Sequence, residues 1–207
     1  MPLEDLPEKI KDEIQNRSMY EQRENQINTT ELIYCIRKAY YRRKFPKPPS
    51  LKSAWWMWRG NVFDRVFTPL FERHQERVTH RVRGTPIIIS GRIDFIEDDT
   101  VYELKTTNNL KYIQKDGPHK DHLKQVKFYT WCNAYQKAKI IYMDLNDVLV
   151  FDVDLSDLDE VIDEFEDVAR KLYNAILLDE PPEKNAQKWE CNYCTYKDMC
   201  KNDTADK

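Results

Sequence analysis

The sequence predicts an α/β fold in which a mixed β-sheet is flanked by helices. Three observations predict it. Apolar residues recur at helical spacing near both ends, at Leu32, Ile33, Ile36 and Tyr40 and again at Leu158, Val161, Phe165, Val168, Leu172 and Ile176. Short runs rich in β-branched residues fill the middle, at 86–96, 101–106, 139–145 and 148–155. The resulting order is helix, helix, strands, helix, strand, strand, helix and a cysteine-bearing tail, which is the order of a sheet covered by helical layers.

Each element has its own signals. Residues 1–28 are polar, with weak helical periodicity. Thr29 and Thr30 offer N-caps for a helix through Lys44, which Pro46, Pro48 and Pro49 end. Ser50 or Ser53 caps a second helix running to about Gln75, with Pro69 as a point of kinking. Residues 77–83 alternate loosely. The run 86–96 reads as a strand, Glu97-Asp98-Asp99 as a turn and Val101–Thr106 as the return strand of a hairpin. Residues 107–118 read as a loop and 119–137 as a helix. Lys139–Leu145 and Val148–Leu155 are strands joined at Asn146-Asp147. An acidic amphipathic helix over 156–179 ends at Pro181-Pro182.

The 207 residues fit one large domain, or one domain with a small appendage: 1–180 and a tail at 181–207. An apolar fraction of 41% supports a core, and 33% charged residues with only four glycines suit a rigid soluble protein. No apolar run is long enough to span a bilayer, and Met1-Pro2-Leu3-Glu4-Asp5 does not open a secretion signal. A cytoplasmic location is expected, the host cytoplasm if the chain is virus-encoded. In such a reducing compartment five cysteines favour metal or cluster ligation over disulfides. Charge is uneven. Residues 31–83 carry 13 Lys/Arg against 4 Asp/Glu, a net of +9, while 144–183 carry 2 against 14, a net of −12. A polyanion is steered to the first segment; two oppositely charged solvated helix faces give the same pattern.

Asp94, Glu103 and Lys105 put two acids and a base within twelve residues. Glu103 and Lys105 are two apart on a strand and share a face, and Asp94 is expected beside them across the hairpin. Two carboxylates and the Leu104 carbonyl are hard oxygen donors suited to Mg²⁺ or Mn²⁺. Lys105 would position or deprotonate the attacking water and offset transition-state charge in phosphodiester hydrolysis. A cross-strand salt bridge uses the same residues. His122, Gln125 and Tyr129 follow at spacings of three and four, on one helix face, where Gln125 and Tyr129 can orient a phosphate or a water.

Cys191-x2-Cys194-x5-Cys200 and the distant Cys35 are four thiolates that would clasp the tail onto the first helix. Their spacing is compatible with zinc and with a [4Fe–4S] cluster. Cys132 reads as a small core residue. Basic and aromatic side chains interleave over 37–44, and Trp55-Trp56-Met57-Trp58-Arg59 follows. Arg37, Tyr41, Arg42, Arg43, Trp56 and Arg59 are the candidate DNA contacts, suited to unpaired bases and their phosphates. His74, His80 and His119 have no evident partner and read as surface residues.

Taken in order, Gly91-x2-Asp94, Glu103-x-Lys105 and Gln125-x3-Tyr129 resemble the RecB-type branch of the PD-(D/E)XK nucleases. With the four cysteines added, the chain is similar to the iron–sulfur nuclease group that includes the CRISPR-associated Cas-four proteins. The resemblance spans roughly residues 30–202. It implies a restriction-endonuclease-like fold over 1–180, catalytic roles for Asp94, Glu103 and Lys105, and RecB-motif roles for Gln125 and Tyr129. It implies a [4Fe–4S] cluster on Cys35, Cys191, Cys194 and Cys200. The implied activity is Mg²⁺- or Mn²⁺-dependent cleavage of DNA, single-stranded DNA favoured, as an exonuclease with endonuclease activity as an extension. Partners in DNA processing or CRISPR adaptation, and a homo-oligomer, are compatible with it. One departure stands out. Members carry a Gly-x3-His stretch whose histidine ligates metal, and here Gly60-Asn61-Val62-Phe63 is followed by Asp64. Asp64 is then a candidate third ligand, or a salt-bridge partner of Lys52, Arg59 or Arg65, and the chain a divergent member, virus-encoded or outside a CRISPR locus. Two other readings remain open: a nucleic-acid-binding subunit with a vestigial acidic site, and a redox-sensing iron–sulfur protein.

Overall fold

The computed structural model describes residues 3–16 and 25–202. Helix α1 is Glu8–Asn16, strand β1 is Gln26–Asn28 and helix α2 is Thr29–Leu32; residues 17–24 of the weakly periodic N-terminal stretch lie outside the description. The single helix expected over 29–44 is broken after Leu32 and resumes as α3, Ile36–Lys44. Capping explains the break. Glu31 turns back to accept from the Asn28 backbone N–H at 3.0 Å, closing the first turn of α2. Cys35 then caps α3: its sulfur accepts from Lys38 N, and its own N–H donates to Glu190 Oε1 at 2.9 Å. The periodicity of 32–40 is unaffected by that interruption, which is why it was invisible to spacing.

Helix α4, Leu51–Phe67, starts on Ser50, whose hydroxyl accepts from Ser53 N. It stops short of Gln75 because Pro69 permits only a single 3₁₀ turn at Thr68–Leu70. Strands β2 (Arg73–His74), β3 (Arg77–Arg81), β4 (Ile88–Arg92), β5 (Phe95–Glu97) and β6 (Thr100–Thr106) follow. The run 86–96 is therefore two strands and not one. They belong to different sheets: β1-β4-β3 forms one, and β2-β5-β6, with two later strands, forms the other. The chain changes sheet at Ile93-Asp94. There Ile93 N donates to Glu76 O and Asp94 O accepts from Gln75 N, so the backbone stays paired across the corner.

The stretch read as a loop holds helix α5, Leu110–Asp116. Asn109 caps it, accepting from Tyr112 N, and Gly117 closes it with φ +81°. Helix α6 is Lys120–Cys132, shorter than the expected 119–137. Strands β7 (Lys137–Met143) and β8 (Val148–Asp152) complete the five-stranded sheet, β6 and β7 running parallel and β8 antiparallel on the edge. Helix α7 spans Leu158–Leu178, and the short α8 (Lys188–Asn192) and α9 (Lys197–Asn202) carry Cys191 and Cys200, with Cys194 in the turn between them.

Both sheets are mixed, and helices flank them. Ile27, Ile89, Val101, Ile140, Val126, Phe128, Phe165 and Leu172 belong to one apolar core between the sheets, α6 and α7. Helix α7 buries Val161, Phe165 and Leu172 as its spacing predicts, while Ile162, Ala169 and Ala175 complete the stripe. It is not merely a solvated acidic face. Glu166, almost fully buried, takes His80 Nε2, Arg83 and Arg170, and burial is outweighed by these partners so that its carboxyl falls to about 2. His80 is thus half-buried and bonded, and not a free surface residue. Asp163 and Asp179 hold Arg83 and Lys44, so the two oppositely charged segments neutralise part of each other. Among the described residues no helix is long and apolar enough to cross a membrane.

Candidate active site

Asp94 stands at the sheet-changing corner. Its Oδ2 accepts the Leu104 backbone N–H at 2.7 Å, and its Oδ1 faces Gln75 Nε2 at 3.5 Å. This link ties the corner to the centre of β6. Glu103 and Lys105 leave β6 on one face, as expected, and Lys105 Nζ donates to Glu103 Oε1 at 2.5 Å and to Gln125 Oε1 at 3.0 Å. Gln125 Nε2 donates to the Tyr129 hydroxyl at 2.8 Å, and that hydroxyl lies 2.9 Å from Thr29 Oγ1. A continuous polar chain thus runs from β6 through α6 to α2. Asp64 enters the same cleft from α4, and Leu104 also lines it; the cleft holds about 490 Å³. The helix face carrying Gln125 and Tyr129 does not bring His122 with it. His122 Nδ1 meets Tyr142 OH at 2.8 Å, and burial, then the charge of Lys105, drops its ring to about 2, so it is neutral.

The three acids crowd one another. Burial first, then the Asp94 carboxylate, pushes Glu103 up to about 8 against the pull of Lys105. The same two causes push Asp64 to about 7, and burial raises Asp94. Burial opposes the charge on Lys105, but Glu103 and Asp94 outweigh it and hold the ammonium protonated. Glu103 Oε2 is buried without a hydrogen-bond partner, a costly state for a carboxylate oxygen. Gly91, on β4, makes room for the site: a methyl group there would stand 2.2 Å from Tyr129 Cε1.

Residues 10–201 match the PD-(D/E)XK nuclease superfamily. The chain belongs to that superfamily. It is 25% identical over 206 residues to the CRISPR-associated exonuclease Cas4 of Saccharolobus solfataricus, a match covering 92% of this chain and 95% of that protein. Its fold is similar to the crystal structure of SSO0001, with a TM-score of 0.69 at 20% identity over 92% of this chain and 93% of that one. An alkaline exonuclease from Laribacter hongkongensis, LHK-Exo, shares the fold at a TM-score of 0.51 and 12% identity, over 81% and 95% of the two chains.

PD-(D/E)XK nucleases depend on divalent metal. The donor set here fits a hard cation: two aspartates and a glutamate oxygen with nothing to bond, with Asp64 and Glu103 raised by burial first and then by the Asp94 carboxylate. Among the described residues, no three His, Cys, Asp or Glu side chains are already drawn together around one ion. Leu104 N engages Asp94 Oδ2 and Lys105 engages Glu103 Oε1, which leaves Glu103 Oε2 without a partner and Asp94 Oδ1 facing only Gln75 Nε2 at 3.5 Å.

All four cysteines of the expected set line a second cavity, of about 340 Å³. Arg37, Lys38, Lys184, Lys197 and Lys201 line it too, a positive surround for a group carrying several thiolates. Burial raises the Cys35 and Cys194 thiols, so they stay protonated until a metal displaces the proton. Cys132 sits apart at the edge of the core, and burial takes its thiol to about 12.

The candidate DNA contacts are dispersed. Arg37 is 1% exposed and donates to Pro182 O at 2.7 Å; Tyr41 is buried, stacked on Tyr196. Arg42 and Arg43 both reach Glu31, at 3.3 and 2.7 Å. All four fasten α3 to its surroundings; Arg37 and Tyr41 are buried, a correction to the surface position expected of them, while Arg42 and Arg43 stay partly exposed. Arg59 bonds Asn108, outside the acid cleft. Trp56 packs edge-on against Tyr193 at 5.1 Å, with Lys52 above both rings. Sequence reasoning missed Thr29 and Gln75, which act through long-range contacts, and Arg77 and Arg92, which line the cleft from β3 and β4.

Proposed function

We propose that this protein is a Mg²⁺- or Mn²⁺-dependent exonuclease that hydrolyses DNA phosphodiesters, with single strands preferred. Cys35, Cys191, Cys194 and Cys200 hold a [4Fe–4S] cluster that fastens the C-terminal segment to α3. One observation carries the nuclease reading: three mutually repelling carboxylates around a partnerless buried oxygen, with an ammonium beside them. A fold keeps such a cluster at a cost in stability, and a divalent cation relieves it. Asp64, Asp94, Glu103 and the Leu104 carbonyl are the ligands. A cation bound there supplies Lewis-acid polarisation of a phosphoryl oxygen. Lys105, tethered by Glu103 and Gln125, offers N–H donors to the oxygens that gain charge as the phosphorus becomes five-coordinate. Tyr129 and Thr29 keep the Gln125 amide turned so that its oxygen faces Lys105. The half-exposed rings Trp189 and Tyr193, with Lys52 and Trp56, give unpaired bases a surface to stack on. The likeness to two named exonucleases supports the exonuclease mode.

The test is cleavage of end-labelled single-stranded DNA by anaerobically purified protein in Mn²⁺. Wild type is expected to cleave and Asp94→Ala to leave the DNA intact. Equal cleavage by both removes the metal site from this corner; DNA binding without cleavage by either makes the protein a binding subunit. For the cysteines, about four iron and about four sulfide per chain are expected, and Cys194→Ser is expected to lose both. Zinc in place of iron would overturn the cluster and leave the nuclease reading intact.

A further inference from the structure

We infer that Arg77 and Arg92 form a clamp for a backbone phosphate of the substrate, on the polar face of the three-stranded sheet at the mouth of the acid cleft. The inference deepens the proposed nuclease reading and rests on it for the identity of the polyanion.

The register of β3 and β4 sets Arg77 directly opposite Arg92 and Thr79 opposite Ser90. The parallel pairing of β1 and β4 sets Asn28 beside Ser90. Opposed residues share a face, and alternate residues return to it. One face of this small sheet therefore carries Arg77, Thr79, Arg92, Ser90, Asn28 and Gln26. The other face carries Ile27, Val78 and Ile89 into the core. The polar face is organised: Gln26 Nε2 donates to Ser90 Oγ at 2.7 Å, and Ser90 Oγ donates to Asn28 Oδ1 at 3.2 Å. It opens into the same cleft as Asp64, Asp94 and Glu103.

Two like charges placed directly opposite across a ladder destabilise it. The arginines Arg73, Arg83 and Arg43 are each tied to a carboxylate, Glu76, Asp163 and Glu31. The side chains of Arg77 and Arg92 are exposed and make no hydrogen bond or ion pair among the described residues. Arg92 is near enough to the acids for its charge to favour the ionised forms of Asp94 and Asp64. A phosphate entering this cleft meets three carboxylates and needs compensating cations at the entrance. Two planar guanidiniums side by side match the geometry of phosphate oxygens. The phosphate is either an internal one, next to the scissile bond, or a terminal monoester.

The test uses the full chain in divalent-free buffer, with single-stranded oligonucleotides bearing a 5′-hydroxyl, a 5′-phosphate or a 3′-phosphate. Affinity is read by fluorescence anisotropy over a salt series. The double variant Arg77→Gln/Arg92→Gln is expected to bind roughly tenfold more weakly, with a log–log salt slope shallower by about 0.7, the value for one phosphate contact on a single strand. Loss on all three oligonucleotides assigns the clamp to an internal phosphate; loss confined to one phosphorylated end assigns it to that terminus. Under cleavage conditions the variant is expected to raise KM more than it lowers kcat. Arg77→Lys/Arg92→Lys is expected to keep the salt slope. Arg77→Gln alone is expected to leave Tm unchanged or raised, because it relieves repulsion; a lowered Tm with unchanged affinity marks a structural role and overturns the clamp. Unchanged affinity and slope in the double variant also overturn it. Neither result touches the Asp94→Ala assay, so the clamp and the nuclease reading fail separately.

Discussion

Glu103→Gln is expected to lower cleavage by about 10²–10³-fold or more while making the divalent-free protein more stable at alkaline pH. Both effects come from one buried carboxylate. In the unfolded chain it ionises near 4.5; in the fold, burial and the Asp94 carboxylate raise it to about 8. Between those values the folded protein keeps a proton that the unfolded chain has released. The stability from this group is therefore complete below about pH 4.5 and is lost as pH rises through about 8. Asp64 adds a loss of the same sign between 3.8 and about 7. Wild-type Tm in divalent-free buffer should fall over this range, and the variant's should fall less. Each kcal/mol recovered appears as about 2–4 °C for a chain of this size. Mn²⁺ should raise wild-type Tm most above about pH 8, where Glu103 and Asp64 have largely lost their protons, and should raise the variant's Tm little. A wild-type Tm that climbs from pH 5 to 8 without metal would show that this carboxylate is not the strained group described above.

Gly91→Ala is expected to damage the site without touching any acid. The added methyl would lie 2.2 Å from Tyr129 Cε1 and 2.8 Å from its hydroxyl oxygen. Neither atom belongs to a flexible end, since the ring is buried and its hydroxyl is held by Thr29 and Gln125. Tyr129 must move, and Gln125 then loses the partner that aims its oxygen at Lys105. Overpacking of this kind costs about 1–3 kcal/mol, and an ångström of misplacement near the reacting groups costs about 10²-fold in rate. The predicted signature is a lower Tm together with a kcat loss that Tyr129→Phe reproduces only in part, because Phe removes the hydroxyl and keeps the ring in place. Full activity in Gly91→Ala would mean that the ring yields freely and the polar chain through Tyr129 is dispensable.

The parts of the site that were legible in the sequence are those fixed by local periodicity. Glu103 and Lys105 share a face because a strand alternates, and Gln125 and Tyr129 share one because a helix repeats. What was not legible depends on where the chain leaves regular structure. The run 86–96 is rich in isoleucine up to Ile96, so its pattern does not mark Ile93-Asp94 as a corner; the mark is supplied by Leu104, ten residues on, whose N–H binds Asp94. Helix α5 was hidden because its signals, the Asn109 cap and Gly117, flank only seven residues. The cations of α3 looked available because composition does not say which face is buried. Glu31, nearly inaccessible, claims two of them. Arg77 and Arg92 lie fifteen residues apart in the chain, and only strand register makes them neighbours.

The attachment of the C-terminal segment to α3 has a bearing on synthesis. The N–H groups of Cys35 and Ile36 donate to Glu190 and Asn185, Arg37 donates to Pro182 O, and Tyr41 stacks on Tyr196. Every one of these partners is translated roughly 145 or more residues after the group it serves. On the ribosome, α3 therefore waits for these particular partners while the sheets and α7 are made. At about 5–20 residues per second that wait is on the order of ten seconds. The cysteine-lined cavity cannot close until the last turns have emerged. Insertion of the proposed cluster would then follow formation of the nuclease core, and a chain made without it would accumulate as an assembled core with an unsecured seam between α3 and the C-terminal segment.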